Sequence, residues 1–327
     1  MARLVYNELL KIVRKRRMLV VVLILAVLIP IFTYAQARQA EELMKNVGTS
    51  DWRTLLQQQI VDAQNRLASS RLPDEWRVML RLQTEQLQFY LDHDINPTAP
   101  GAPTFVRNFI EQSVALFLPL LVVIVASDIV SSEHSGGTIK LLLTRPVRRW
   151  KILLSKYLAL ILTVSLILLI TGILAYSISG LAFGYQGATL PVLTGFQEQN
   201  GQLVVDHVHL VPQWKYILMA FGLAWFAAIT VATLSFMVSV LVRSTAASMG
   251  IMMAAIISGS LLAQLAPTWT ALKYLAFTNL RLADYLSGKP QMIEGMTLPF
   301  SLTVLSVWSL AAVIIAFAVF TRRDVLA

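Results

Sequence analysis

Six stretches of the chain are apolar for long enough to cross a membrane as helices. A hydrocarbon core of about 30 Å needs about 20 helical residues, because each residue adds about 1.5 Å. The pattern therefore predicts an all-α polytopic membrane protein with six transmembrane helices. We place these spans at 18–35, 108–127, 152–178, 215–242, 246–266 and 299–320.

The first 17 residues have the pattern of an amphipathic helix, with apolar and cationic residues on opposite faces. Such a helix lies at the membrane interface, with its apolar face in the lipid and its cations toward the headgroups. We predict that 1–17 is an N-terminal interfacial connector helix. Its apolar face carries Leu4, Leu9 and Ile12, and its polar face carries Lys11 and Arg14.

The 36–107 segment between spans 1 and 2 is the longest polar stretch. Apolar residues recur at helical spacing in two runs, which are separated by a turn signal at 69–73. We predict an external helical hairpin, followed by a Pro-rich connector at 96–103. This hairpin is either a substrate or partner surface or a packing cap on the spans, and both interpretations remain open.

Two shorter segments have weaker patterns. In 179–214, Asn200-Gly201 between alternating residues predicts a two-residue β-hairpin. The 267–298 segment predicts short interfacial or re-entrant helices that break at 287–290.

Composition agrees with a membrane protein and excludes several kinds of site. Hydrophobic residues make up 56% and charged residues 14%, against about 25% charged in soluble domains. The chain has no cysteine, which excludes disulfides, thiolate metal sites and cysteine nucleophiles. His207 and His209 would share one face of a strand, but a metal site needs more ligands, so the sequence predicts none.

The net charge of +9 is explained by topology rather than by nucleic acid. Six Lys and Arg lie in 1–17 and five in 128–151, whereas the eight in 36–107 are balanced by nine acids. By the positive-inside rule both termini are cytoplasmic. Ala35-Gln36-Ala37 resembles a signal-peptidase site, and cleavage there would leave five spans. The preceding run of 18 residues exceeds the usual apolar core of a signal peptide, so we predict an uncleaved first span.

The span interiors argue against a self-powered transporter. Ion-coupled carriers need ionisable groups at membrane depth, whereas Glu111, Asp128, Lys156 and Lys215 lie near predicted span ends and are interpreted as interfacial residues. No phosphate-binding Gly-x-x-x-x-Gly-Lys-Ser/Thr motif is present, and no cluster of residues predicts a catalytic site. These observations favour an energy source on another chain.

The cytoplasmic 128–151 loop is the most informative segment. It contains an apolar turn on a side of the membrane where no lipid accounts for it. Two glycines precede this turn and a proline ends it, so a short helix there should bury itself in a partner or against the bundle. The residues are Glu133, Gly137, Thr138, Ile139, Leu141, Leu142, Leu143, Arg145, Pro146 and Arg148.

This loop, together with Lys156 at the start of the third span, resembles the signature of ABC-2-type exporter permeases. Residues 7–11 with their basic run are similar to that family's connector helix. The resemblance implies that the loop is a coupling helix docked on a separate ABC ATPase. Glu133 would position the loop, residues 138–143 would fill a groove of the ATPase, and Arg145 and Arg148 would pair with its acids.

The resemblance also implies the assembly and the cofactors. Two ATPase subunits would bind ATP and Mg²⁺, with no cofactor on this chain, and a second permease would complete a homo- or heterodimer in a bacterial plasma membrane. The charge-poor spans favour a hydrophobic or amphipathic cargo, such as a peptide, a drug or a lipid-like molecule.

Alternatives remain open at this point. The chain could be an ion-export permease, a secondary carrier, or a membrane sensor or scaffold with the external hairpin as its ligand-binding part. The short tail 321–327 offers no output domain for a sensor, and the charge-poor spans oppose a carrier. The loop could also be an ordinary positive-inside loop whose leucines pack on the bundle.

Overall fold

The computed structural model describes residues 1–48, 51–69, 74–138, 147–199, 202–266, 268–289, 291, 293 and 295–322. The helices in this part of the chain are α1 (Ala2–Arg14), α2 (Arg17–Val47), α3 (Trp52–Leu67), α4 (Asp74–Asp92), α5 (Ala102–Ser113), α6 (Phe117–Ala126), α7 (Ser131–Ser135), α8 (Arg149–Phe183), α9 (Gln213–Leu241), α10 (Thr245–Leu265), α11 (Asp284–Ser287) and α12 (Leu298–Arg322).

Six helical segments among the described residues are long and apolar enough to cross a membrane. The chain is therefore a polytopic α-helical membrane protein. These segments are Arg17–Glu42, Phe117–Ser135, Arg149–Phe183, Gln213–Leu241, Thr245–Leu265 and Leu298–Arg322.

The second span differs from the continuous helix that the sequence predicts at 108–127. The structure divides it into α5 and α6, with a turn at 114–116. Pro119 explains the break, because its ring lacks an N–H and clashes with the carbonyl of Ala115, four residues earlier. In this turn Val114 is 1% exposed, whereas Leu116 is 38% exposed. Protein therefore covers part of the irregular backbone, as non-helical backbone at membrane depth requires.

The core lies where α5, α6, α8 and α9 pack together. Ala220, Ala224 and Ala228 line the buried face of α9, and such small residues let neighbouring helices approach closely. By contrast, α2, α10 and α12 are the least buried of the six spans, and most of their apolar side chains lie outside the packed core.

The 36–107 segment contains the two predicted helices, α3 and α4, which pack against each other. The Asp51 side chain accepts hydrogen bonds from the backbone N–H groups of Arg53 and Thr54 and so begins α3. In the C-terminal half of α4, Gln86 donates a 2.6 Å hydrogen bond to the carbonyl of Gly288. The hairpin is thereby attached to the 267–298 segment.

The 179–214 segment forms four short strands. β1 (Pro191–Thr194) pairs with β4 (His209–Pro212), and β2 (Gln197–Gln199) with β3 (Gln202–Val204), both antiparallel. Gln199 lies opposite Gln202, as the predicted two-residue hairpin requires, although the turn itself lies outside the described residues.

The two histidines do not share a strand face, because His207 lies in a turn before β4. His209 instead places Nδ1 3.0 Å from the carbonyl oxygen of His207. The expectation of a shared face is therefore wrong, since the strand begins only at His209.

Two 3₁₀ helices (Thr270–Tyr274 and Ala276–Asn279) and α11 are the short helical elements of the described part of the 267–298 segment. Leu280 and Leu282 are buried in the main core. Gly288 ends α11 in the left-handed region, with φ 65°, in agreement with the predicted break. This segment covers one end of the helix bundle, which we call the outer end.

Arg16, between α1 and α2, adopts a left-handed conformation with φ 57°. This conformation costs a non-glycine residue about 1–2 kcal/mol, whereas glycine adopts it freely. We expect Arg16→Gly to raise the free energy of unfolding by roughly 0.5–1 kcal/mol, since glycine's greater freedom in the unfolded chain cancels part of the gain. Thermal unfolding in detergent measures this. Arg14→Gly, at the last residue of α1, is the control and should be destabilising, because glycine there loses backbone freedom without relieving a left-handed conformation. A loss of stability in both variants contradicts the prediction.

Candidate functional site

Four charged side chains meet at the end of the bundle opposite the outer end. We call Glu8, Lys11, Glu133 and Lys156 the ion cluster. Lys156 Nζ lies 2.7 Å from Glu8 Oε2 and 2.7 Å from Glu133 Oε1. Lys11 Nζ lies 2.9 Å from Glu8 Oε1 and 3.0 Å from Glu133 Oε1. The cluster thus joins α1, α7 and the beginning of α8.

Local structure fixes the members of the ion cluster. Glu8 and Lys11 are three residues apart on α1 and therefore share one face. The start of α7, which carries Glu133, is held by the Ser239 hydroxyl of α9, which accepts hydrogen bonds from the N–H groups of Val130 and Ser131 at 3.1 and 2.9 Å. The position of Glu133 is therefore set by α9 as well as by its own helix.

Charge balance makes the burial tolerable. The Lys156 side chain is only 1% exposed, and an unpaired ammonium there would be very costly. Burial raises the pKa of Glu8, but the ammonium groups of Lys156 and Lys11 outweigh it, so this pKa lies below its ordinary value. The stabilisation from Glu8 is therefore present above the ordinary carboxyl pKa and is lost as the pH falls through the lowered one.

Two neighbouring ion pairs fix the junction of α1 and α2. Asp128 Oδ2 lies 3.1 Å from Lys15 Nζ, and its Oδ1 lies 2.9 Å from Arg17. Arg17 also donates to the carbonyl of Ile124 at 3.2 Å, and Lys15 to the hydroxyl of Ser132 at 2.6 Å. Both pairs attach the α1–α2 junction to the end of the second span.

The structure places four of the ten residues predicted for coupling. Glu133 belongs to the ion cluster. Gly137 adopts φ 69°, Thr138 lies 3.5 Å from the carbonyl of Glu133, and exposed Arg148 directly precedes α8. The residues outside the described part of the chain are Ile139, Leu141, Leu142, Leu143, Arg145 and Pro146.

Leu4, Leu9 and Ile12 of the predicted apolar face are partly buried, and Arg14 of the predicted polar face is exposed. Lys11 of the polar face is half-exposed, and two carboxylates lie within 3.0 Å of its ammonium group. α1 therefore contacts the bundle through charge as well as through Ile12.

Three of the four span-end charges that the sequence indicates as interfacial are buried and paired within the protein. Glu111, Asp128 and Lys156 are buried inside the protein and paired, whereas Lys215 is exposed. Sequence reasoning therefore missed the pairing of Glu8 with Lys156. The available signal was chemical: ionisable residues at the ends of apolar helices face a partner or a polar cavity.

Comparison with known proteins identifies the family but not its activity. A family model described as a protein of unknown function, DUF2705, matches residues 77–326, and the chain belongs to this family. The uncharacterized protein YhcI of Bacillus subtilis (strain 168) is 28% identical over 329 residues and is matched over 99% of both chains. The uncharacterized membrane protein YdbK of the same organism is 29% identical over 217 residues, which cover 65% of this chain and 80% of YdbK.

Proposed function

We propose that this DUF2705 member is the permease subunit of an ABC exporter, which moves a hydrophobic or amphipathic substrate using ATP hydrolysed by a separate ATPase. In this proposal the chain crosses a cell membrane with both termini in the cytoplasm. α1 lies at the cytoplasmic interface, and the α3–α4 hairpin lies outside.

The ion cluster is the observation that carries the proposal. It connects three parts of the resemblance to ABC-2 permeases: the connector helix through Glu8, the start of the loop through Glu133, and the third span through Lys156. Glu133 before the 136–148 loop and Lys156 after it therefore belong to one set of ion pairs. A force applied to this loop by an ATPase would reach α1 and α8 together.

A groove next to the ion cluster offers a docking surface for the ATPase. Its volume is about 260 Å³, and it lies between α1 and the start of α8. Leu4, Leu10 and Val147 supply apolar contacts, and Arg14 supplies a cation at the same groove. An acidic and apolar partner surface would complement this lining.

The composition of the spans supports an apolar cargo. In the described residues, α10 contains no charged side chain, and α9 contains only Lys215 in its first turn. Cation and proton pathways need ionisable or coordinating groups at membrane depth. A hydrophobic or amphipathic molecule needs no such groups.

Purification in mild detergent tests whether an ATPase partner exists. We expect the wild-type chain to recover a stoichiometric ATPase with a phosphate-binding loop, identified by mass spectrometry. Leu142→Asp should reduce this recovery at least tenfold, because it places a charge in the apolar turn of the sequence motif. Val205→Asp makes the same change in the 179–214 segment and should leave recovery unaltered. The absence of an ATPase in several detergents, or equal recovery with both variants, would refute the proposal.

Glu133→Gln tests coupling rather than assembly. The chain lacks cysteine, so Ala263→Cys at the outer end of α10 provides a single thiol whose labelling rate reports on movement there. We expect ATP to change this rate severalfold in the otherwise unaltered complex. Glu133→Gln should abolish the ATP effect while the ATPase stays bound and active, whereas exposed Glu85→Gln should preserve it. An ATP effect that survives Glu133→Gln would contradict the coupling role.

A further inference from the structure

A second polar site lies at the outer end, on the opposite side of the bundle from the ion cluster. It is a cavity of about 70 Å³ between α10 and the 267–298 segment. This volume is several times the roughly 10–15 Å³ that one water molecule needs. Its charged lining residues are Arg281, Asp284 and Lys289. We call it the outer cavity.

We propose that the outer cavity binds a zwitterionic headgroup of the phosphoethanolamine type, with its primary ammonium on Asp284 and its phosphate on Arg281. The proposal does not depend on an ATPase partner. It assigns a ligand to a part of the chain that the proposed coupling mechanism does not use.

Asp284 supplies the ammonium contact. The residue is only 8% exposed, yet its nearest cations stand at 3.7 Å (Lys289 Nζ) and 3.8 Å (Arg281), both longer than a hydrogen bond. Burial is the main reason why the pKa of this carboxyl lies above its ordinary value, with Lys289 and Arg281 offsetting only part of the effect. A primary ammonium within hydrogen-bond distance would stabilise the charged carboxylate directly.

Arg281 is the cation that can bind the phosphate of the headgroup. Lys289 already forms an ion pair with Glu111, because its Nζ lies 2.6 Å from Glu111 Oε2. Arg281 has its side chain 47% exposed and lines the cavity. A guanidinium group binds a phosphate in a bidentate manner, which a lysine cannot do. The positive and negative groups of the cavity therefore suit one zwitterion better than a simple cation or anion.

The remaining lining favours a lipid as the source of this headgroup. Met79, Phe277, Ile293 and Met296 form an apolar wall, and Ala263 places the cavity against α10. α10 is one of the three spans with the least burial, and Leu261 and Leu265 near its end are 50% and 80% exposed. Acyl chains can thus lie along α10 while the headgroup occupies the cavity.

Native mass spectrometry of the full chain with defined lipids tests the proposal. The probes are phosphatidylethanolamine and phosphatidylcholine with identical acyl chains, because a quaternary ammonium has no N–H to donate to Asp284. We expect the wild-type chain to retain phosphatidylethanolamine at least fivefold better than phosphatidylcholine. Asp284→Asn should remove this preference, and Arg281→Gln should weaken retention of both lipids.

Controls separate this site from general effects. Exposed Asp94→Asn removes the same charge from the hairpin region and should preserve the preference. Free phosphoethanolamine at millimolar concentration distinguishes a headgroup site from a lipid site. If it displaces the lipid, the headgroup alone is recognised. If it does not displace the lipid, the acyl chains contribute an essential part of the binding. Equal retention of the two lipids by the wild-type chain, or a preference that survives Asp284→Asn, would overturn the proposal.

Discussion

A Lys156→Met variant should unfold far more easily than the wild-type chain, with a loss of roughly 3–5 kcal/mol in the free energy of unfolding. This is the typical cost of removing one partner from a buried ion pair. The side chain is 1% exposed, and its removal leaves Glu8 and Glu133, at 9% and 10% side-chain exposure, with only the half-exposed Lys11 as a partner. Methionine fills a similar volume, so the effect reports charge rather than packing.

Thermal unfolding in detergent, followed by size-exclusion chromatography, measures this loss. Lys215→Met is the matched control, since it makes the same change at an exposed lysine in the first turn of α9. The triple variant Glu8→Gln, Glu133→Gln, Lys156→Met should recover at least half of the loss, because it buries no unpaired carboxylate. A Lys156→Met variant as stable as the control would show that the ion cluster does not hold these helices together.

Glu111→Leu should cost the next largest amount, roughly 2–3 kcal/mol, because it removes the acceptor of two groups at once. Tyr216 donates its hydroxyl to Glu111 Oε1 at 2.7 Å, and Lys289 Nζ lies 2.6 Å from Oε2. Tyr216 is fully buried and would keep an unsatisfied hydroxyl, whereas Lys289 is 44% exposed and can turn to solvent. The expected loss is therefore smaller than for Lys156.

A double-mutant cycle with Tyr216→Phe isolates the hydrogen bond. We expect the two changes together to cost less than the sum of their separate effects, with a coupling of about 1 kcal/mol or more. Gln112→Leu, at the exposed neighbouring position on α5, is the control and should leave stability nearly unchanged. Strictly additive losses would mean that the 2.7 Å contact contributes little to stability.

The apolar segments could be predicted, because a segment that crosses the hydrocarbon core must consist mostly of apolar residues. The ends of the helices could not be predicted in this way. The first span is expected at 18–35, whereas α2 continues to Val47. Residues 36–47 include Ala, Gln, Glu, Lys and Leu, which are good helix formers in water as well. Hydropathy therefore locates the membrane crossing, while helix propensity decides how far the helix extends beyond it.

The candidate site was predictable only in part, for a similar reason. The motif around Glu133 marks its loop locally, but Glu8 and Lys156 are 148 residues apart. No local sequence pattern indicates that they form a pair, and the sequence around Lys156 does not distinguish it from an interfacial lysine.

The division of the second span was easier to predict from the sequence, since Pro119 is visible there and its effect on the preceding turn follows from its geometry.

The length of α2 has a practical consequence for experiments on intact cells. Its 31 residues extend about 46 Å at 1.5 Å per residue, whereas the hydrocarbon is about 30 Å thick. The last part of α2 therefore extends about 16 Å beyond the hydrocarbon, on the side of the bundle where α3 and α4 lie. In the proposed orientation this hairpin is an epitope that antibodies can reach without permeabilising the cell.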